Sequence, residues 1–536
     1  MASLVIGLCI HSQAHCQTDP LREMQDQAIV SGQAKWGYWG TSSGGYYDWC
    51  NHSNRLIPVY TFGMNLDTVK KLSSVYRDQA ALEKMYGRVP EGTLNPSAEY
   101  FDQTDLFRLQ LSAIEAGKKY IVVIIFDGLD WHTTRAAAIY RSGKVGYDAG
   151  RGTGLSFQDY RNTETDFGFC VTSPHNETTE FNVDTQTLTK QVVDSTGGYD
   201  FQLAGATPWE VPRDMGYLIG WNERRYHPIT DSANAATAIL TGRKTYNGSV
   251  NLAPDGQQLQ TVAHILQRER GFAIGVVTNV PISHATPAAA YAHNVSRLDY
   301  QDLSRDLLGL PSISHATEPL AGVDVLLGAG WSDDAATDTD QGANHRAGNK
   351  YLTDIDQLRL ETQQSGKYVV VQRQTGTAGI MVLDQGVRQA NHNSQKLLGI
   401  FGVKSGHLPY RTADGDYQPT TGVAAKEIYS TADIQENPKL SDLTSAALQC
   451  LSRNPNGFWL MVEAGDVDWA SHDVNIDNTI GAILSGDEAF ATVTEWIEAN
   501  QLWKEAAVIV TSDHGHGFVL TDPSAISNAG MVSKTR

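Results

Sequence analysis

Four short apolar runs end in acids and imidazoles, and this constrains the fold more than anything else in the chain. "YIVVIIFDG" ends at Asp127, and "FAIGVVTNVPISHATP" runs into His284 and Thr286. "GFWLMVEAGDVDWASH" delivers Glu463, Asp468 and His472, and "AAVIVTSDHGHG" ends in Asp513, His514 and His516. Continuous runs of about four to eight residues rich in Val and Ile fit strands covered on both faces, as in a mostly parallel sheet. "VDVLLGAG" and "LLGIFGVKSG" add two further strands with glycine exits, and amphipathic stretches such as "LQTVAHILQRERG" and "LSDLTSAALQCLSR" lie between the runs. The alternation predicts a doubly wound α/β domain, a three-layer α/β/α sandwich with a large, mostly parallel central sheet and inserted segments. Ligands of such sheets sit beyond the carboxyl ends of the strands. That is where these side chains collect.

Each piece has an ordinary explanation alone. Asp127 before Gly128 suits a turn, Asp468 and His472 suit a solvated helical pair, and Arg297 in "HNVSRLDY" suits a surface cation. Together they do not. Carboxylates packed within a few ångströms raise one another's pKa and oppose folding unless cations compensate them. Oxygen and nitrogen donors without thiolates suit zinc or magnesium, often as two ions close together. "HPITDSANAATAILTG", residues 227–242, places Asp231-Ser232 at the mouth of an Ala- and Thr-rich run closed by Gly242. That pattern predicts a capped helix, and it aims the Ser232 hydroxyl at the same edge, as a nucleophile site requires.

The totals set limits. At 536 residues with a net charge of -19, the chain is long enough for a large α/β domain and too acidic for a nucleic-acid surface. The cysteines at 9, 16, 50, 170 and 450 show no CxxC spacing, which leaves open only one disulfide, Cys50 with Cys170 or Cys450. The start, "MASLVIGLCIHSQAHCQ", resembles the tail of a secretory signal peptide without its basic region, so export to the periplasm or the medium is expected. No other stretch approaches the roughly 20 apolar residues that cross a bilayer. "WGYWGTSSGGYYDW", residues 36–49, reads as an irregular loop anchored by its rings, and "DDAATDTDQG", residues 333–342, as a solvated acidic loop. "SHATP" at 283 is echoed by "SHATEP" at 314, but only the first follows a long apolar run.

These motifs, in this order across roughly residues 117–520, resemble the alkaline phosphatase family. The resemblance implies that Ser232 is the residue phosphorylated during turnover and that Arg297 forks onto the substrate phosphate. Asp127 would bridge the second zinc and the magnesium, while Asp513 and His514 would hold the second zinc beside Ser232. Asp468 and His472 would hold the first zinc. Thr286 and Glu463 would complete the magnesium site with His284 beside it, and His516 is an outlying candidate. The implied cofactors are two zinc ions and one magnesium ion, the implied substrates small phosphomonoesters, and the protein would be a periplasmic or secreted phosphomonoesterase, with a homodimer left open. The expected organisation is a leader remnant at 1–14, an N-terminal extension at 15–116 and an alkaline-phosphatase-like domain from 117 to 536, with insertions near 145–225 and 320–430.

Two departures stand out. Family members carry one more zinc-ligating His well downstream of the Asp-His motif, and none follows His516. The expectation is a truncated C-terminus or an incomplete first zinc site. Trp469 follows Asp468 where some members have Lys or His, which with His284 weakens the expected magnesium site. The rival readings are a phosphodiesterase of the same superfamily and a catalytically impaired, metal-dependent phosphate-binding protein. None of the cysteines fits the nucleophile segment of sulfatases.

Overall fold

In the strand Tyr120–Phe126, Val122, Ile124 and Phe126 join one apolar cluster and Ile121, Val123 and Ile125 join another. Side chains of a strand alternate between faces, so this continuous run has a helical layer on either side. The computed structural model describes residues 19–175, 178–192, 197–221, 227–362, 367–424 and 426–534, and the expected leader at 1–14 lies outside them.

The central sheet is built from β1 (Ile57–Phe62), β2 (Phe101–Asp102), β3 (Tyr120–Phe126), β4 (Thr165–Val171) and β5 (Ala273–Pro281). It continues with β6 (Val325–Ala329), β7 (Tyr368–Gln372), β8 (Lys396–Ile400), β9 (Phe458–Ala464) and β10 (Ala506–Thr511). The 10 strands lie in the order β7-β8-β6-β5-β9-β3-β10-β1-β4-β2. Neighbours from β7 through β10 are parallel, β1 runs antiparallel to both β10 and β4, and β2 is parallel to β4.

The helices that matter here are, in chain order, α1 (Pro20–Ser31), α2 (Asp105–Glu115), α3 (Trp131–Ser142), α4 (Ser232–Thr241), α5 (Val262–Arg270) and α6 (Ala285–Ala289). They continue with α7 (Tyr300–Leu308), α8 (Leu440–Leu451), α9 (Asp466–His472), α10 (Ile476–Ala499) and α11 (Pro523–Lys534). Leu109 of α2, Ile239 of α4, Leu266 of α5 and Leu307 of α7 cover one face of the sheet; Ile139 of α3, Leu443 of α8, Ile480 of α10 and Ile526 of α11 cover the other. This is the expected three-layer α/β/α sandwich.

The motif-bearing strands β5, β9, β3 and β10 are consecutive neighbours in the middle of the sheet. Their carboxyl ends therefore share one edge. The reversed β1 brings something else there: with Val510 opposite Tyr60 and Val508 opposite Phe62, its amino end lies beside the carboxyl end of β10. Residues just ahead of β1 thus reach the same edge from the opposite direction.

The segment expected as an N-terminal extension is therefore part of the sheet, since it contributes β1 and β2. The stretches expected as insertions carry strands too, β4 in the first and β6, β7 and β8 in the second. Cys50, Cys170 and Cys450 are all free, so the disulfide left open by the sequence is not formed. Cys170 is buried in β4 and Cys450 sits on α8, which packs on the sheet away from the loop holding Cys50. The aromatic loop is anchored as expected. Trp39 and Tyr46 are fully buried, and Gly37–Trp39 pairs antiparallel with Phe518–Leu520.

Candidate metal centre and nucleophile

The end of β3 is tied to that of β9 by the Asp127 amide, which donates to the Ala464 carbonyl at 3.1 Å. Beyond β10, Asp513 Oδ1 accepts from the Gly128 amide at 3.0 Å and from the His514 amide at 2.9 Å. Gly128 turns with φ 75°, and a Cβ there would stand 2.8 Å from His516 Nε2. Only glycine combines that conformation with that approach.

The turns converge on His514. Its Nε2 lies 3.2 Å from Asp127 Oδ1, 3.3 Å from Asp513 Oδ2 and 3.1 Å from Ser232 Oγ. Ser232 opens α4 and is almost wholly buried. Asp231 before it is the N-cap: Oδ1 accepts from the Asn234 amide at 3.0 Å, and Oδ2 meets Arg297 Nη1 at 3.1 Å. One carboxylate thus fixes both the helix that presents the hydroxyl and the guanidinium beside it.

A second group surrounds Asp468 of α9. Its Oδ1 lies 2.8 Å from His516 Nε2, 3.3 Å from His52 Nε2 and 3.4 Å from His472 Nε2. His52 belongs to the segment entering β1, where His52-Ser53 pairs antiparallel with Gly515-His516. The ring of His52 donates from Nδ1 to the Thr230 carbonyl at 3.0 Å, and that of His472 from Nδ1 to the Cys50 carbonyl at 2.7 Å. A carbonyl only accepts, so in each neutral ring Nε2 carries the lone pair. These two nitrogens face each other at 3.0 Å. A contact that short suits either a proton shared by the two rings or a cation that both rings ligate.

The electrostatics agree. Burial, followed by the charges of Asp468 and Glu463, pushes Asp127 well above the usual carboxylate range. Burial and Asp127 push Asp513 to about 7. Burial lifts Glu463 to about 8 against its hydrogen bond from Thr278, with Asp513 and Asp468 adding to the rise. Asp468 goes the other way: burial would raise it, but His472, His516 and His52 hold it well below the ordinary value. Burial takes His516 down to about 3, so its ring is neutral. Asp127 Oδ2, Asp513 Oδ2, Glu463 Oε1 and Thr286 Oγ1 are buried with no hydrogen-bond partner among the described residues. Buried oxygens of this kind are costly without a counter-charge, so the donor set fits divalent cations.

The ligand atoms of Asp127, Asp513 and His514 lie within 4.8 Å of one another, as do those of His52, Asp468, His514 and His516. The model of the alkaline phosphatase family matches residues 215–534. That is more than half of the chain. The chain belongs to the alkaline phosphatase family. It is 33% identical over 316 residues to alkaline phosphatase H of Pseudomonas aeruginosa, covering 55% of this chain and 59% of that one. It is 31% identical over 308 residues to the alkaline phosphatase of Escherichia coli, covering 55% and 60%. Alkaline phosphatase 4 of Bacillus subtilis is 28% identical over 293 residues, covering 54% and 50%. The chain thus spans between half and three-fifths of the length of these alkaline phosphatases.

Two of these candidate donors, His52 and Asp127, lie outside the matched stretch. His52, which the sequence reading did not single out, joins Asp468, His514 and His516 in one group of candidate donors. The signal was present: His52 stands beside the apolar run "LIPVYTF", as the other ligands stand beside theirs. It was hidden because its strand runs backwards. Thr278 Oγ1 donates to Glu463 across β5 and β9, and Thr286 lies in the first turn of α6. His284 stays apart from both donor groups, with its ring edge-on to Trp469 at 5.7 Å. Burial, then Arg297, lowers it to about 3.

Proposed function

We propose that this chain hydrolyses phosphate monoesters through a phosphoserine on Ser232, with two zinc ions and one magnesium ion as resident cofactors. The observation that carries the proposal is the 3.1 Å contact between the Ser232 hydroxyl and His514 Nε2, inside the Asp127–Asp513–His514 trio. A buried serine merely capping a helix has no need of that company. Asp127, Asp513 and His514 would hold one zinc against Ser232; Asp468, His472 and His52 would hold the other, with His516 orienting Asp468. Asp127, Thr286 and Glu463 would hold magnesium. When bound, the ions supply charge that lowers the pKa of the serine hydroxyl and of water and steadies the departing oxygen.

The chain's own residues do the rest. Arg297, braced by Asp231, forks onto two phosphoryl oxygens and fixes the ester. Ser232 Oγ attacks phosphorus in line as the alcohol oxygen leaves on the opposite side. Water then enters from the vacated side, breaks the Ser232–phosphorus ester and releases inorganic phosphate. The burial of Ser232 limits access of other nucleophiles. The leader-like run at 1–14 supports an exported, periplasmic or secreted protein; among the described residues no helix is long and apolar enough to cross a membrane.

The test is acid trapping. Protein mixed with radiolabelled phosphomonoester and quenched in acid should carry label on Ser232, and Ser232→Ala should carry none. Label elsewhere, or faster turnover of a bis-aryl than of a mono-aryl phosphate, overturns the proposal.

A further inference from the structure

The "SHATEP" echo leads to a second gathering of imidazoles that shares no residue with the site above. His315 Nδ1 lies 2.9 Å from Asp306 Oδ1 of α7. His293 follows α6, and His264 lies on α5. The ring centroids of His264 and His293 are 5.2 Å apart with the planes only 6° from parallel, and those of His293 and His315 are also 5.2 Å apart. Ligand atoms of His293, Asp306 and His315 all fall within 4.8 Å of one another.

The hydrogen bonding shows where the lone pairs point. His293 Nε2 donates to the Leu259 carbonyl at 2.8 Å, so Nδ1 is left as an acceptor, buried and without a partner among the described residues. His264 Nε2 is also buried and without a partner among the described residues, but Nδ1 of that ring accepts from the Thr261 amide at 3.3 Å, so in the neutral ring Nε2 carries the proton. Burial keeps both rings below the ordinary histidine range, and therefore neutral. Rings packed only for their bulk would turn every nitrogen to a partner, as His315 does with Asp306 and with Gln258 Oε1 at 3.3 Å, whereas Nδ1 of His293 has none among the described residues. The three rings border a cavity of about 380 Å³ that is also lined by Gln258, Gln267 and Tyr291.

We propose that His293, His315 and Asp306, with His264 at the rim, form a further zinc-binding site. Imidazoles plus one carboxylate, with no thiolate and an open side, make a donor set for zinc. Binding displaces the proton that His315 shares with Asp306. The ion staples α7, the loop after α6 and the loop carrying His315, and His293 lies four positions ahead of Arg297 on one loop. The site therefore stiffens the segment that presents the guanidinium.

The test is zinc retained after saturation and gel filtration. The wild type should keep one equivalent more than His315→Gln and one more than His293→Gln, with Ser232→Ala keeping the wild-type count. His315 is on a loop and partly accessible, so its variant folds even where the buried His293 variant does not. Anomalous scattering at the zinc edge from wild-type crystals should place a peak between the rings of His293 and His315. Equal zinc counts in wild type and H315Q, or no peak there, overturn the proposal.

Discussion

Ser232 owes its position to the residue before it. Asp231 caps α4 with one oxygen and braces Arg297 with the other, so the Ser232 hydroxyl and the Arg297 guanidinium are both set by a single side chain. Replacing Ser232 with Ala should lower kcat by several orders of magnitude while inhibition by phosphate persists, as steady-state kinetics will show. Replacing Arg297 with Ala should weaken inorganic phosphate as a competitive inhibitor by about 1.5–3 kcal/mol, the worth of a hydrogen bond to a charged group; an unchanged inhibition constant would contradict its role. His52→Ala should lose one equivalent of zinc and most of the turnover together, and retention of both would remove His52 from the centre. At this scale the sequence was mostly legible. Asp127, Glu463, Asp513 and His514 announce themselves because a buried strand has no other use for an acid or imidazole at its end. His52 did not, because only the pairing of His52-Ser53 with Gly515-His516 reveals which edge it reaches.

Elements differ in how plainly they could be read. β3, β5, β9 and β10 are continuous apolar runs and were found as such. β1 carries Pro58, which argues against a strand inside a sheet because it lacks a ladder donor; it is tolerated because β1 pairs with β10 only over Tyr60–Phe62, so Pro58 has a ladder partner on the β4 side alone. β2 is two residues long and too short for any pattern. The opening of α2 offers a test of pH dependence. Burial drives the carboxyl of Asp105 up to about 7, with Arg108 and the Asp102 amide only partly opposing it. An unfolded aspartate titrates near about 4, so between these values the native chain binds the extra proton and stability falls as pH rises through the window. Asp105→Asn should remove that slope. Chemical denaturation should then show the variant gaining on the wild type at pH 8 relative to pH 5, and parallel profiles would refute the assignment.

For the whole molecule, the expected boundary at residue 117 is worth testing, because two strands ahead of it lie in the central sheet. A truncation starting there would strip β1 from β10, expose the edge of a central strand and remove His52. It should be aggregated on gel filtration and unable to hold its full zinc complement; a soluble, active product would show that the first strand is dispensable. Fold class was legible because it rests on runs that repeat along the chain. Chain order at the site was not, because His52 reaches it on a strand that runs against its neighbour, so nothing in its own stretch of sequence tells which edge it meets.

That order has a consequence during synthesis. Ser53 hydrogen-bonds the His516 carbonyl across 463 residues, so the earliest-made piece of the centre must wait for the latest. At ribosomal speeds of about 5–20 residues per second, the wait lasts from roughly 20 to 90 seconds. Until translation passes His516, β1 has β4 on one side but lacks β10 on the other, and the pairing that holds His52 at the edge cannot form.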